Sequence, residues 1–310
     1  MPGPAPKIVV VGSLNADVTL EVERLPQPNE TLMARASRQT VGGKGFNQAM
    51  ALARLGCETV MVGAVGDDLM GSEARARLRR SGIDDRHLTT IVGQVTGTAH
   101  ILVGRDGQNM ITVSPGANAA LMPAHVEAAT DLIAAADALI VQMEVPLETT
   151  RRALDIARMH KVLTVLNPAP VLPGVESLLP LADVVTPNET ELMSLTGMDG
   201  FGDAALHAAL HSLIKQGAGR ALVTMGGNGI AALIEGTLVR LPAHKVKALD
   251  ATGAGDVFNG ALTAKLATGA KWLEALHYAM AAAALSVSRA SADAAPTLKE
   301  VEAFLSEATV

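Results

Sequence analysis

Short β-branched runs alternate along this chain with longer stretches of helical period. The runs at residues 8–11, 59–65, 138–142, 162–166, 183–186 and 221–225 are mostly apolar, as strands covered on both faces must be. Between them, the segments 47–55, 72–81, 147–160, 189–195 and 204–216 carry apolar residues at the spacing of an amphipathic helix. Strand followed by helix followed by strand predicts parallel pairing through crossover helices. The expected fold class is therefore α/β: a doubly wound, mostly parallel sheet sandwiched by helices. The last third turns helical, over 256–268, 272–287 and 298–306.

Two stretches break the alternation. Residues 17–23 and 31–40 read as extended segments separated by Pro26-Gln27-Pro28-Asn29, and 98–103 with 110–114 flank Arg105-Asp106-Gly107-Gln108. They predict antiparallel strands inserted into the α/β frame from about 15–41 and 97–115. Ligands of open α/β sheets bind beyond the carboxyl ends of the strands, so a small β-sheet there suits a lid over a cleft. A further hairpin is expected through 229–234 and 238–241. No repeat or low-complexity linker divides the chain, and one α/β domain over 1–310 is expected.

Composition narrows the partners. Hydrophobic residues make up 49%, yet there is one Trp, one Tyr and four Phe, so the core must be aliphatic and little is available on which bases could stack. Lys and Arg number 25 against 31 Asp and Glu, a net charge of −6, without a basic block; nucleic acid is not an expected partner. The single cysteine, Cys57, cannot close an intramolecular disulfide. The most apolar stretch, 279–287, is far shorter than the roughly 20 residues of a membrane helix, and the Pro-rich start is too short and polar for a signal peptide. A soluble, cytoplasmic protein without a membrane partner is expected.

Five segments could carry chemistry. Asp250-Ala251-Thr252-Gly253-Ala254-Gly255-Asp256 stands directly before a helical run, where free backbone N–H groups and the helix dipole favour an anion. Asp256 fits that spot as a base taking a proton from an attacking hydroxyl, or simply as a helix cap. Gly42-Gly43-Lys44-Gly45-Phe46-Asn47-Gln48 is superficially like a P-loop, but Arg38 stands in place of the first glycine and Gly45 in place of the Ser or Thr. Its glycines still permit close approach to a polyhydroxy ligand, with Lys44 and Asn47 as donors. Asn15 and Asp17, after the first strand, point the same way in extended chain and suit paired sugar hydroxyls, or simply form a turn. Asn188 and Glu191 begin a helix as a capping box, or lie near nucleotide phosphates and the waters of Mg²⁺. Finally, Thr224-Met225-Gly226-Gly227-Asn228-Gly229 ends a strand in a turn that could approach a nucleotide, or is a plain hairpin connection.

Taken together and in this order, these segments resemble the ribokinase-like (PfkB) carbohydrate kinase family. The resemblance rests on Gly42 to Leu55, Asp250 to Gly260, Gly12 to Asp17, Gln142-Met143-Glu144, Asn167-Pro168-Ala169-Pro170 and Thr186 to Glu191, and it spans almost the whole chain. It implies ATP-dependent phosphorylation of the 5-hydroxyl of ribose, with Mg²⁺, activation by K⁺, and a homodimer closed through the β-lids. Other acceptors known in the family are 2-deoxyribose, nucleosides and pseudouridine, and a non-catalytic sugar-binding regulator is the remaining alternative. The resemblance makes Asp256 the catalytic base and gives Gly253, Ala254 and Gly255, with the Asp256 amide, the transferring phosphate. Asn15, Asp17, Gly43, Lys44, Gly45, Asn47 and Glu144 would bind sugar. Asn188, Glu191, Thr224, Gly226, Gly227, Gly229 and Gly255 would serve ATP, and Asp250 with Thr252, Ser286, Arg289 and Ser291 would surround the monovalent cation. Four places depart from the family pattern: Ala251 replaces a threonine, Ser291-Ala292-Asp293 a Gly-Ala step near the cation, Asn29 a glycine, and Met280 a polar residue near the adenine.

Overall fold

The computed structural model describes residues 4–106, 108–289 and 295–307. β1 (Lys7–Val11) leads into β2 (Asn15–Glu21) and β3 (Ala36–Gly42), then α1 (Lys44–Arg54), β4 (Glu58–Gly66), α2 (Leu69–Arg80) and β5 (Asp84–Ile91). After β6 (Gly97–Val103) and β7 (Asn109–Ser114) come α3 (Pro123–Glu127), α4 (Thr130–Ala134), β8 (Ala138–Val141), α5 (Leu147–Met159), β9 (Leu163–Leu166) and β10 (Val184–Val185). α6 (Glu189–Thr196), α7 (Asp203–Lys215), β11 (Arg220–Thr224), β12 (Ile230–Ile234) and β13 (Thr237–Leu241) precede α8 (Ala254–Ala267), α9 (Trp272–Val287) and α10 (Leu298–Glu307).

The main sheet runs β13-β12-β11-β10-β9-β8-β1-β4-β5. It is parallel from β11 to β5, and β12 and β13 add an antiparallel edge. β1 shows why it forms here: Ile8, Val9, Val10 and Val11 are all fully buried. Ile8 and Val10 pack with α1, α2, α8, α9 and α10 in one core, while Val9 and Val11 pack with α3, α4, α5, α6 and α7 in the other. Helices thus cover both faces, and the expected doubly wound sandwich is what the chain adopts.

A separate four-stranded sheet has the order β3-β2-β6-β7. The expectation of antiparallel strands holds within each hairpin, but β2 pairs with β6 in parallel, Asp17 opposite Ala99. The strand expected over 31–40 forms only from Ala36, and α1 begins at Lys44 rather than 47. β5, which the sequence pattern missed, is an edge strand with few buried positions, so it lacks the apolar run that marks its neighbours.

Chain order leaves β1 toward β4 on one side and toward β8 on the other. The topological switch therefore lies between β1 and β8, and the crevice at their carboxyl ends is where such a fold opens a binding site.

Candidate active site

The segments after β1 and β8 meet across that crevice. Ser13 Oγ donates to Glu144 Oε2 at 2.5 Å, and the Lys44 amide donates to the same oxygen at 3.2 Å. The approach is close because glycines allow it. A Cβ on Gly45 would lie 2.6 Å from Ser13 N, and one on Gly12 would lie 1.9 Å from Gln142 Oε1. Gly43 caps α1 with φ of 95°, a backbone that favours glycine. Ser13 was not singled out from the sequence, since a lone serine after a strand carries no distinguishing signal.

Asp256 sits in the first turn of α8, buried, behind Gly253 in the left-handed conformation. Asn47 Nδ2 donates to its Oδ2 and Gln48 Nε2 to its Oδ1, both at 3.0 Å. Burial pushes its carboxyl above the usual range, with Glu144 adding to the rise. The Lys44 ammonium and the two amide donors oppose this by favouring the charged form. Burial likewise works against the charge on Lys44, yet the carboxylates of Asp256, Glu144 and Glu191 hold its pKa above the ordinary lysine value. The N–H groups of a helix's first turn have no intrahelical acceptor. Of those expected to receive phosphate, Ala254 N–H is turned back to Ala251 O at 3.2 Å. A Cβ on Gly255 would meet nothing within 4 Å, so the space beside that residue is open.

Asn15 and Asp17 share one face of the small sheet. Asn15 is buried and its Oδ1 accepts from Asn118 Nδ2 at 2.8 Å, while Asn118 also bonds both Leu14 backbone groups at 3.0 Å. This leaves the Asn15 amide nitrogen as a donor. Burial, then Glu144 and Asp256, raise the Asp17 carboxyl to about 7, and Asp17 Oδ1 is buried without a hydrogen-bond partner among the described residues. The register places Ala99, Ile101, Ile111 and Val113 on the same face as Asp17. Asn118 and this apolar set escaped the sequence reading, which had no register to work from.

The nucleotide candidates gather at the ends of β10 and β11. Asn188 and Thr224 form a parallel bridge. The capping box is present: Asn188 Oδ1 accepts from the Glu191 amide at 2.9 Å, and the Glu191 carboxylate takes the Asn188 backbone and side-chain N–H groups at 2.8 and 2.9 Å. Burial raises the Glu191 pKa against those bonds and against Lys44. Gly226 and Gly227 face open space, whereas Gly229 is required by packing, since its Cβ would come 2.0 Å from Leu241 O. Met280 is carried by α9 itself and is buried in the core.

The cation candidates are brought together in part. The amides of Leu249 and Asp250 donate to Val287 O at 2.7 and 3.2 Å, which ties the Asp250 loop to the end of α9 beside Ser286. Asp250 Oδ1 takes the Thr252 N–H at 2.9 Å. The Ser286 carbonyl already accepts from Arg289 N at 3.1 Å. Ser291 lies outside the described residues. No cluster of three His, Cys, Asp or Glu side chains able to hold a metal exists among the described residues, so any cation here relies on carbonyls and a single carboxylate.

This arrangement can bind a polyhydroxy molecule at Asn15, Asp17 and Glu144, hold an anion at the start of α8, and accept a proton at Asp256 between the two. A cavity of about 660 Å³ lies elsewhere, lined by Gly71, Arg75, Arg79 and Thr90. Arg75 and Arg79 are already paired to Asp85 there, which makes it a structural feature of α2 and β5. No helix of the described residues is long and apolar enough to cross a membrane.

The profile of the pfkB family carbohydrate kinases matches residues 5–298. The ribokinase of Haemophilus influenzae is 35% identical over 302 residues, covering 97% of this chain and 99% of that protein. The deoxyribokinase of Salmonella typhimurium is 33% identical, covering 96% and 98%. Among solved structures, an Arabidopsis thaliana ribokinase complexed with ribose and ATP superposes with a TM-score of 0.90 at 32% identity, over 97% of this chain and 99% of that one.

Proposed function

Because this chain belongs to the pfkB family of carbohydrate kinases, we propose that it transfers the terminal phosphoryl group of ATP to the 5-hydroxyl of D-ribose, giving ribose 5-phosphate and ADP. One observation carries the choice of a sugar: Asp17 Oδ1 is buried and without a donor among the described residues. Such an atom costs free energy until a ligand hydroxyl pairs with it. The ribokinase relatives and the ribose complex of the Arabidopsis protein support the same acceptor.

In this reading Asn15, Asp17, Gly43, Lys44, Gly45, Asn47 and Glu144 hold the sugar. Asp256 takes the proton from its 5-hydroxyl as that oxygen attacks the γ-phosphorus, and the bond to the leaving ADP oxygen breaks. The first turn of α8, open beside Gly255, stabilises charge building on the transferring group through the segment Gly253, Ala254, Gly255 and Asp256, once the Ala254 N–H leaves Ala251 O. Asn188, Thr224, Gly226, Gly227 and Gly229 line the ATP side. Mg²⁺ bound with ATP would neutralise phosphate charge, and Glu191, a half-buried carboxylate that interacts with the Lys44 charge, fits the ordering of its waters. The hard oxygens of Asp250 and of the Thr252, Ser286 and Arg289 carbonyls fit a monovalent cation, K⁺, that stiffens the loop before α8.

The small sheet acts as an inserted lid of about 15–41 and 97–115 on one α/β domain. Its last strand, β7, is exposed at every position, with Met110, Ile111 and Val113 open to solvent, and a second lid is the simplest cover. A cytoplasmic homodimer without nucleic-acid or membrane partners fits these features.

ATP consumption measured with ribose, 2-deoxyribose, adenosine and pseudouridine tests the assignment. Ribose should lead 2-deoxyribose by at least about tenfold in kcat/KM, because a missing hydroxyl leaves a buried polar group unpaired. The deoxyribokinase relative makes 2-deoxyribose the second reading, and that sugar winning would select it. No turnover with any acceptor would leave a sugar-binding regulator.

A further inference from the structure

Asp256 is reached by a chain of side-chain amides, Gln48 and Gln142, which lie in the segments that carry the family resemblance but were given no role by them. Gln48 is fully buried in α1, and its Nε2 donates to Asp256 Oδ1 at 3.0 Å and to Asn167 Oδ1 at 3.3 Å. Its Oε1 accepts from Gln142 Nε2 at 2.6 Å. Gln142, at the end of β8, is also fully buried, and its own Oε1 has no partner among the described residues.

The direction of these bonds follows from the carboxylate. An ionised Asp256 can only accept, so Gln48 must turn its NH₂ toward it and its oxygen toward Gln142. Gln142 must then give its NH₂ to Gln48, which leaves its oxygen stranded against Gly12. A buried unpaired acceptor is costly, and the alternative amide orientation would put two oxygens face to face at Asp256. The fold tolerates the stranded oxygen at the far end and thereby keeps the donor at the carboxylate.

We propose that Gln48 and Gln142 are positioning residues for the proton transfer: Gln48 aims Asp256 and holds it in its charged, proton-accepting form, and Gln142 fixes which end of the Gln48 amide faces it. The inference rests on the reading of Asp256 as the base. Removing the Gln48 donor leaves Asp256 facing the Asn47 amide and the Lys44 ammonium of α1, against the carboxylates of Glu144 after β8, Asp17 on β2 and Glu191 on α6. The charged form loses support, so the base protonates at higher pH.

The test compares kcat against pH for the parent and for Gln48→Met, Gln142→Met and the double variant. Thermal melts of all four serve as the check on folding. Gln48→Met should lower kcat about tenfold or more at neutral pH, leave the KM for ribose within about threefold, and move the acidic limb up by about one pH unit. Asp17 is present in every variant, so the difference between variants reports Asp256. Gln142→Met should move the limb the same way but less, and should add nothing in the Gln48→Met background, because it acts only through Gln48. An unchanged limb in a folded Gln48→Met variant overturns the proposal, as do additive effects of the two substitutions. If Asp256→Asn keeps full activity, it is the assignment of the base that fails instead. Should Gln48→Met not fold, Gln142→Met alone decides the matter: an unmoved limb counts against the relay and a raised one supports it.

Discussion

Gly42 is the space that Asp17 occupies. A Cβ built on Gly42 would come 2.0 Å from Asp17 Oδ2 and 2.5 Å from its Cγ, although Gly42 itself has an ordinary strand backbone. The glycine at this position serves the neighbouring carboxylate, which it lets lie flat across β3 in the crevice.

Gly42→Ala should therefore fold and yet displace Asp17. The KM for ribose should rise about tenfold, equivalent to losing one good hydrogen bond of roughly 1.4 kcal/mol. Steady-state kinetics with a thermal melt checks this, and an unchanged KM would show that Asp17 moves aside without cost.

Asp256→Asn should bind ribose and ATP with near-parental affinity, because the amide preserves size and the loop before α8 keeps its glycine geometry. Turnover should fall by about 10²–10⁴, the usual contribution of a general base. Calorimetric titration beside a rate assay separates the two effects.

Asp17 gives a pH dependence of stability. Its pKa is about 7 in the fold against an ordinary 3.8. Between those values the native chain holds a proton that the unfolded chain has released, so this group makes stability fall as pH rises through the window. Asp17→Asn should melt a few degrees above the parent near pH 8, with the gap narrowing below pH 7 and closing toward pH 4, while ribose binding is lost. Melts across that range check it, and a gap independent of pH would assign the gain to another cause.

Exchanging K⁺ for tetramethylammonium at matched ionic strength should lower kcat several-fold by loosening the loop that Leu249 and Asp250 anchor to Val287. Equal rates in both salts would show that no cation site is built beside α8.

Sedimentation should give twice the chain mass at micromolar concentration, since β7 presents Met110, Ile111 and Val113 to solvent. Replacing Ile111 and Val113 by Lys should shift the distribution to the monomer. A parent that sediments as an active monomer would remove the dimer from the mechanism.

The apolar runs at 8–11, 138–142 and 221–225 determined their own strands, because a strand buried on both faces has to be apolar throughout. The glycines before 256 likewise marked a helix start with a carboxylate in its first turn, since local backbone freedom is written in local sequence. Both the α/β frame and the segments that form the crevice could be read in this way. Tertiary structure alone decided the parallel pairing of β2 with β6, which joins segments about eighty residues apart and depends on register. It also decided the place of β5, whose edge position lets it be polar. The roles of Gln48, Gln142, Asn118 and Ser13 were illegible for a related reason: a buried polar side chain looks like any other until the fold supplies its partner, and those partners stand between 94 and 208 residues away.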